Sequence, residues 1–86
     1  MTTFAFEVLV SLKEGLSDPQ GKAVGSALSA LGWTNVSGVR VGKHIALDVD
    51  APDEVTATAQ VQEMAQRLLS NPVIEDVRVL EVEAKP

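Results

Sequence analysis

Apolar residues alternate through the middle of the chain, Val39-Arg40-Val41-Gly42-Lys43-His44-Ile45-Ala46-Leu47-Asp48-Val49, on both sides of Gly42-Lys43. A period of two marks β-strand, and two such runs around a glycine-bearing dipeptide leave few fold classes open. Gly42 has no Cβ to forbid positive φ, so Gly42-Lys43 is expected to be the tight turn of a hairpin. The competing arrangement is one long strand that bends at Gly42 and carries the second half of the chain to a partner subunit.

The flanking segments supply further elements. Phe4, Phe6, Val8, Val10 and Leu12 share one face of a first strand, with Leu9 on the other face beside Ala5, Glu7 and Ser11. Asp18-Pro19 opens a helix: the carboxylate can accept from a free backbone N–H, and Pro19 has no N–H to lose. Ala23, Val24, Ala27, Leu28 and Leu31 recur at helical spacing and predict a stripe that faces a sheet. Gly32 ends the helix. Residues 36–41, irregular at Gly38, form an expected second strand and residues 45–49 a third. Asp50-Ala51-Pro52-Asp53 is turn chemistry leading to a second helix, whose expected stripe is Ala57, Val61, Met64, Ala65 and Leu68. Asp53 and Glu54 at its start and Arg67 in its last turn suit the helix dipole, and Asn71-Pro72 stops it. Residues 73–82 read as a fourth strand, with Val77 and Val79 on one face and Arg78, Leu80 and Val82 on the other. Residues 83–86 are an expected frayed tail.

The two halves echo each other. Leu31, Val36, Val39, Arg40 and Val41 recur at one constant offset as Leu69, Ile74, Val77, Arg78 and Val79. The expected fold is α+β, a two-layer sandwich in β-α-β-β-α-β order, with a ferredoxin-like antiparallel sheet carrying two helices on one face. The second sheet face then has no helix over it. Leu9, Ala46, Leu80 and Val82 fall there and form a candidate self-association face.

Size and composition narrow the function. The 86 residues make one expected domain, 1–86, with a thin core that association would supplement. The chain has no Cys, which removes disulfides, thiolate metal sites and Cys nucleophiles. A formal charge of −5, scattered basic residues and only Phe4, Phe6 and Trp33 as aromatics argue against nucleic-acid binding. No apolar run has bilayer-spanning length, so a soluble cytoplasmic protein away from membranes is expected.

Residues able to do chemistry are few and unclustered. His44 is the single His, without ligand-spaced partners, and an exposed or hydrogen-bonding role is expected. Asp48 and Asp50 share a strand face and read as a solvated strand end. Gly15, Gly21 and Gly25 do not make a phosphate loop. Lys43 reads as an exposed turn lysine. Trp33 is expected at the core edge, and if exposed would anchor a partner.

Several segments together resemble the PurS family, the small subunit of phosphoribosylformylglycinamidine (FGAM) synthase. They are Lys13-Glu14-Gly15, Asp18-Pro19-Gln20-Gly21-Lys22-Ala23, Ala27-Leu28 and Leu31-Gly32, Val39-Arg40-Val41-Gly42-Lys43, and Leu68-Leu69 with Asn71-Pro72-Val73-Ile74-Glu75. The resemblance spans essentially the whole chain. It departs mildly at Trp33 and His44, where members often have Tyr. It implies a non-catalytic subunit of a carbon–nitrogen ligase complex in purine biosynthesis. That complex converts formylglycinamide ribonucleotide (FGAR) to FGAM with glutamine and ATP. The implied partners are a PurL-type synthetase and a PurQ-type glutaminase, between which ammonia passes, and further copies of the chain as homodimer or homotetramer. No catalytic residue, cofactor or metal is implied in this subunit; ATP and Mg are expected in the large partner. Lys13, Asp18, Gln20, Lys22, Arg40, Gly42 and Lys43 match family motifs and are the candidate partner contacts. The other function class considered is a small ligand-binding regulatory module of ferredoxin-like fold.

Overall fold

The structure, a computed structural model, describes residues 1–82; the expected tail at 83–86 lies outside the described residues. Strand β1 (Thr2–Leu12) is followed by α1 (Pro19–Ala30), β2 (Lys43–Ala51), α2 (Glu54–Met64), a π-helical turn (Ala65–Leu69) and β3 (Glu75–Val82). The sheet is antiparallel with strand order β2-β1-β3. It is an α+β fold with two helices, as expected. The plan is ferredoxin-like, with the segment between α1 and β2 in the place of the second strand.

Register puts the alternating side chains where the pattern predicted. Phe6 lies opposite Leu47, Val8 opposite Ile45 and Val79, and Val10 opposite Val77. These residues share the face that α2 covers, and Phe6, Val8 and Val10 are buried. From the helix side come Ala57, Val61 and Ala65, also buried, with Leu69 packed against them. That is a row with steps of four residues, the ridge that fits down onto a sheet.

The second helix departs from its expected stripe in two positions. Met64 and Leu68 point outward, Leu68 at 83% exposure. The last turn widens to π geometry, with the Ser70 N–H donating to the Ala65 carbonyl at 3.0 Å, five residues back. A wider turn rotates later side chains around the axis, so Leu69 rather than Leu68 meets the core.

Three expectations around the first helix are corrected. Residues 36–41 do not form a regular strand, and no hairpin closes at Gly42-Lys43. Instead Lys43 already pairs with Val10 as the first residue of β2. Gly42 lies flat against β1; a Cβ there would stand 2.5 Å from the Val10 carbonyl oxygen. With Lys43 and His44 both in the ladder, no residues remain to reverse the chain. Helix α1 also turns its expected apolar stripe to solvent: Val24 and Leu31 are exposed, while Gly21 is buried. It packs its glycine side on residues 36–41, where Gly25 approaches the Val39 side chain. Trp33 is 54% exposed rather than at the core edge. Gly32 does end the helix, at φ +108°, a conformation that L side chains rarely adopt.

Candidate functional site

The motif residues at the start of α1 and around Gly42 meet at one corner, and a carboxylate holds it. Asp18 is the N-cap of α1, with Pro19 at the first helical position. One oxygen of its carboxylate accepts from the Gly21 N–H and the other from the Val41 N–H, both at 2.8 Å. Oδ1 therefore satisfies a helix donor that has no partner within the helix, and Oδ2 ties down a segment 23 residues away. Asp18 is buried. Arg40 stands beside it, Nε 3.9 Å from Oδ2, and donates from its guanidinium to the carbonyls of Leu16 (3.0 Å) and Lys13 (3.3 Å). Lys13 donates its N–H to the Ile74 carbonyl, and Lys43 faces Glu75 at 3.9 Å. The corner thus joins the end of β1, the loop after it, the start of α1, residues 39–43 and the start of β3.

Of the seven candidate partner contacts, three are committed inward. Asp18 is buried, Arg40 spends its donors on loop carbonyls, and Gly42 is packed on β1. Gln20, Lys22 and Lys43 are exposed at the same corner, with Lys13 half-buried behind them. The sequence reading missed Glu75 as the partner of Lys43 and Glu7 as the partner of His44, at 3.3 Å. Only register reveals them: Leu12 pairs with Glu75, and Leu9 with His44.

The four residues of the candidate self-association face do share one face. Leu9 lies between His44 and Arg78, Glu7 between Ala46 and Leu80, and Ala5 between Asp48 and Val82. Apolar and charged side chains alternate across it. Among the described residues no three His, Asp or Glu side chains gather as metal ligands, and no helix is long and apolar enough to cross a membrane.

The Gly21 and Val41 N–H groups, with Arg40 beside them, hold the Asp18 carboxyl below its ordinary value. A group whose folded pKa is depressed adds stability above its unfolded value and loses it as pH falls through the folded value. Glu81 acts in the opposite sense: its hydrogen bond to Glu54, with some burial, raises it. Asp18→Asn leaves Glu81 untouched and isolates the first effect. The variant should melt roughly 5 °C lower at neutral pH and converge on the parent below about pH 4, followed by circular dichroism. Parallel melting curves at all pH values would contradict the clamp.

These features define a ferredoxin-like α+β domain whose helix–strand corner is stiffened by a buried carboxylate and rimmed by exposed Gln and Lys. The chain belongs to the PurS family: the family model described as phosphoribosylformylglycinamidine (FGAM) synthase matches residues 5–83. The PurS subunit of phosphoribosylformylglycinamidine synthase from Synechocystis sp. is 48% identical over 69 residues, 80% of this chain and 69% of that one. The Bacillus subtilis subunit is 44% identical over 75 residues, 87% and 88% of the two chains. Among solved structures, B. subtilis PurS superposes with a TM-score of 0.82 at 41% identity, covering 93% of this chain and 99% of that one. A chain of the PurLQS structure from Thermotoga maritima reaches 0.89 at 32% identity, covering 95% and 100%. The protein is thus a PurS subunit of FGAM synthase, a ligase complex.

Proposed function

We propose that the chain, acting as one domain over 1–86, is the non-catalytic small subunit that joins a PurL-type synthetase to a PurQ-type glutaminase in the cytoplasm. Glutamine-derived ammonia then passes between the two and is used with ATP to convert FGAR to FGAM. ATP and Mg are held by the large subunit, and this chain carries no cofactor of its own. The observation that carries the reading is the likeness, over 95% of this chain, to a chain of the T. maritima PurLQS structure. The dispersal of Asp, Glu and His into structural pairs and caps is consistent with a subunit that contributes surface rather than a reaction centre.

The exposed Gln20, Lys22 and Lys43, backed by Lys13 and held in place by Asp18, Arg40 and Gly42, form the proposed partner-contact corner. The face with Leu9, Ala46, Leu80 and Val82 is proposed to meet another copy. Reconstitution with the two partner subunits tests the bridging role. Adding the chain should raise glutamine-dependent turnover at least tenfold, while turnover with free ammonium should change little. Lys22→Glu with Lys43→Glu should weaken assembly roughly tenfold without lowering the melting temperature of the isolated chain by more than a few degrees, since both side chains are exposed. Equal glutamine-dependent turnover with and without the chain would sink the reading. Thermal stabilisation of the isolated chain by a small ligand would favour the regulatory-module reading instead.

A further inference from the structure

The loop between the π-helical turn and β3 bonds to itself. The Asn71 carbonyl accepts from the Ile74 N–H at 3.1 Å and from the Glu75 N–H at 2.8 Å. Its side-chain oxygen accepts from the Val73 N–H at 3.2 Å, and the Asn71 N–H donates to Glu75 Oε1 at 2.6 Å. Pro72 has no N–H, so every backbone donor from Asn71 to Glu75 has a partner inside the loop. Two further ties fix the loop to the corner. The Ile74 carbonyl accepts from the Lys13 N–H at 2.9 Å, and Glu75 Oε2 faces Lys43.

The polar groups of this loop are used inward, and what it shows to solvent is apolar. Val73 is 80% exposed, with Pro72 and Ile74 exposed beside it. Leu16 is exposed on the adjoining loop, where Arg40 holds the Lys13 and Leu16 carbonyls. A single apolar side chain on a surface is ordinary. A Pro-Val-Ile tip on a loop fixed by its own hydrogen bonds is not, because Val73 serves neither the turn nor the core. The entropy of ordering the loop is already lost on folding, so a partner that covers the tip keeps most of the apolar gain.

We infer that this tip docks into an apolar hollow, rimmed by carboxylates, on a partner subunit other than a further copy of this chain. The inference rests on the bridging role and names what the partner-contact corner recognises. The sign of the rim follows from the charges around the tip. The corner holds Lys13, Lys22, Arg40 and Lys43, four of the chain's seven Lys and Arg. Asp18 and Glu75 there are already engaged, which leaves Glu14 and Asp76 as its exposed carboxylates. The opposite end, where β2 and β3 finish and α2 starts, carries Asp48, Asp50, Asp53, Glu54 and Glu81. Among the described residues it has no Lys or Arg, and the Met1 amino group is its one cation. A chain of formal charge −5 thus presents the tip from its basic end, which carboxylates on the partner complement. A second copy does not fit. Corner on corner sets Lys against Lys, and corner on acidic end is a head-to-tail contact that gives rings or filaments rather than a two-fold pair.

The test titrates the intact chain against a PurL-type synthetase, a PurQ-type glutaminase and the two together, with binding read by calorimetry. Val73→Asp should weaken binding roughly tenfold or more to at least one of them. Val73→Lys should cost less, about threefold, since its methylene stem still fills the hollow and its ammonium reaches the rim. Val55→Asp is the control. Val55 is also 80% exposed but lies at the acidic end, so binding should stay within about twofold of the parent. All three variants should melt within a few degrees of the parent and sediment as it does. Parent-like binding by Val73→Asp, an equal loss in Val55→Asp, or loss of self-association in Val73→Asp would overturn the docking. A larger loss in Val73→Lys than in Val73→Asp would overturn the acidic rim. Glutamine-dependent turnover of the same mixtures separates this inference from the bridging role. A parent chain that binds without stimulating turnover refutes bridging alone, Val73→Asp that binds and stimulates like the parent refutes docking alone, and a parent that binds nothing refutes both.

Discussion

Gly21→Ala should lower the melting temperature by roughly 5–15 °C, although alanine is the better helix former by about 1 kcal/mol. The reason is local. A Cβ at Gly21 would run into the Val39 carbonyl oxygen and stand 2.8 Å from Asp18 Oδ2. The carbonyl belongs to the main chain and the carboxylate is held by two N–H groups, so neither can swing aside. Relief requires α1 to lift from residues 39–41, which breaks the clamp. Overpacking of this kind costs about 1–3 kcal/mol, more than the helix propensity returns. Gly25→Ala is the control. Its Cβ would meet only the Val39 side chain, at 3.7 Å, an ordinary contact, so melting should hold or rise slightly. If both variants melt like the parent, the close approach at Gly21 is wrong.

Phe6→Ala should leave the isolated chain marginal or unfolded at physiological temperature. Phe6 is 1% exposed and is the largest of the fully buried side chains. Emptying such a site costs about 3–5 kcal/mol, as lost transfer energy plus the cavity left behind. A chain of this length has a total stability of roughly 4–13 kcal/mol, so the loss takes a large share of it. Phe4, on the same strand face but only half-buried, should lose less when changed to Ala. Urea unfolding of the three proteins checks the order, with midpoints falling from parent to Phe4→Ala to Phe6→Ala. Midpoints that coincide for Phe6→Ala and the parent would remove Phe6 from the core. Binding to other chains should partly rescue the variant, because assembly stabilises whatever form it binds.

Much of this arrangement was legible in the amino-acid order, for reasons local to each element. The alternation in residues 4–12 and 45–49 is a property of neighbouring side chains, and one buried sheet face forces it into register. Asp18-Pro19 and Gly32 delimit α1 through groups within a few residues of themselves. Asp53 caps α2 in the same way, accepting from the Thr56 N–H at 2.7 Å. The π turn was not legible, since nothing within its own residues distinguishes Leu68 from Leu69; the sheet beneath selects Leu69. The roles within the motif at 39–43 were equally hidden. In the sequence a lysine or arginine near a glycine looks the same whether it reaches outward, as Lys43 does at the rim, or inward to loop carbonyls, as Arg40 does.

Both helices, three of the four expected strands, the core face of β1 and the family itself came from residue order, because patterning and capping act over a few positions. Tertiary structure alone decided the direction in which residues 36–41 leave Gly42. That outcome depends on which N–H the Asp18 carboxylate captures and on whether Lys43 joins the ladder or the turn. Both are contests between parts of the chain far apart in sequence, and an alternating pattern is equally compatible with either result.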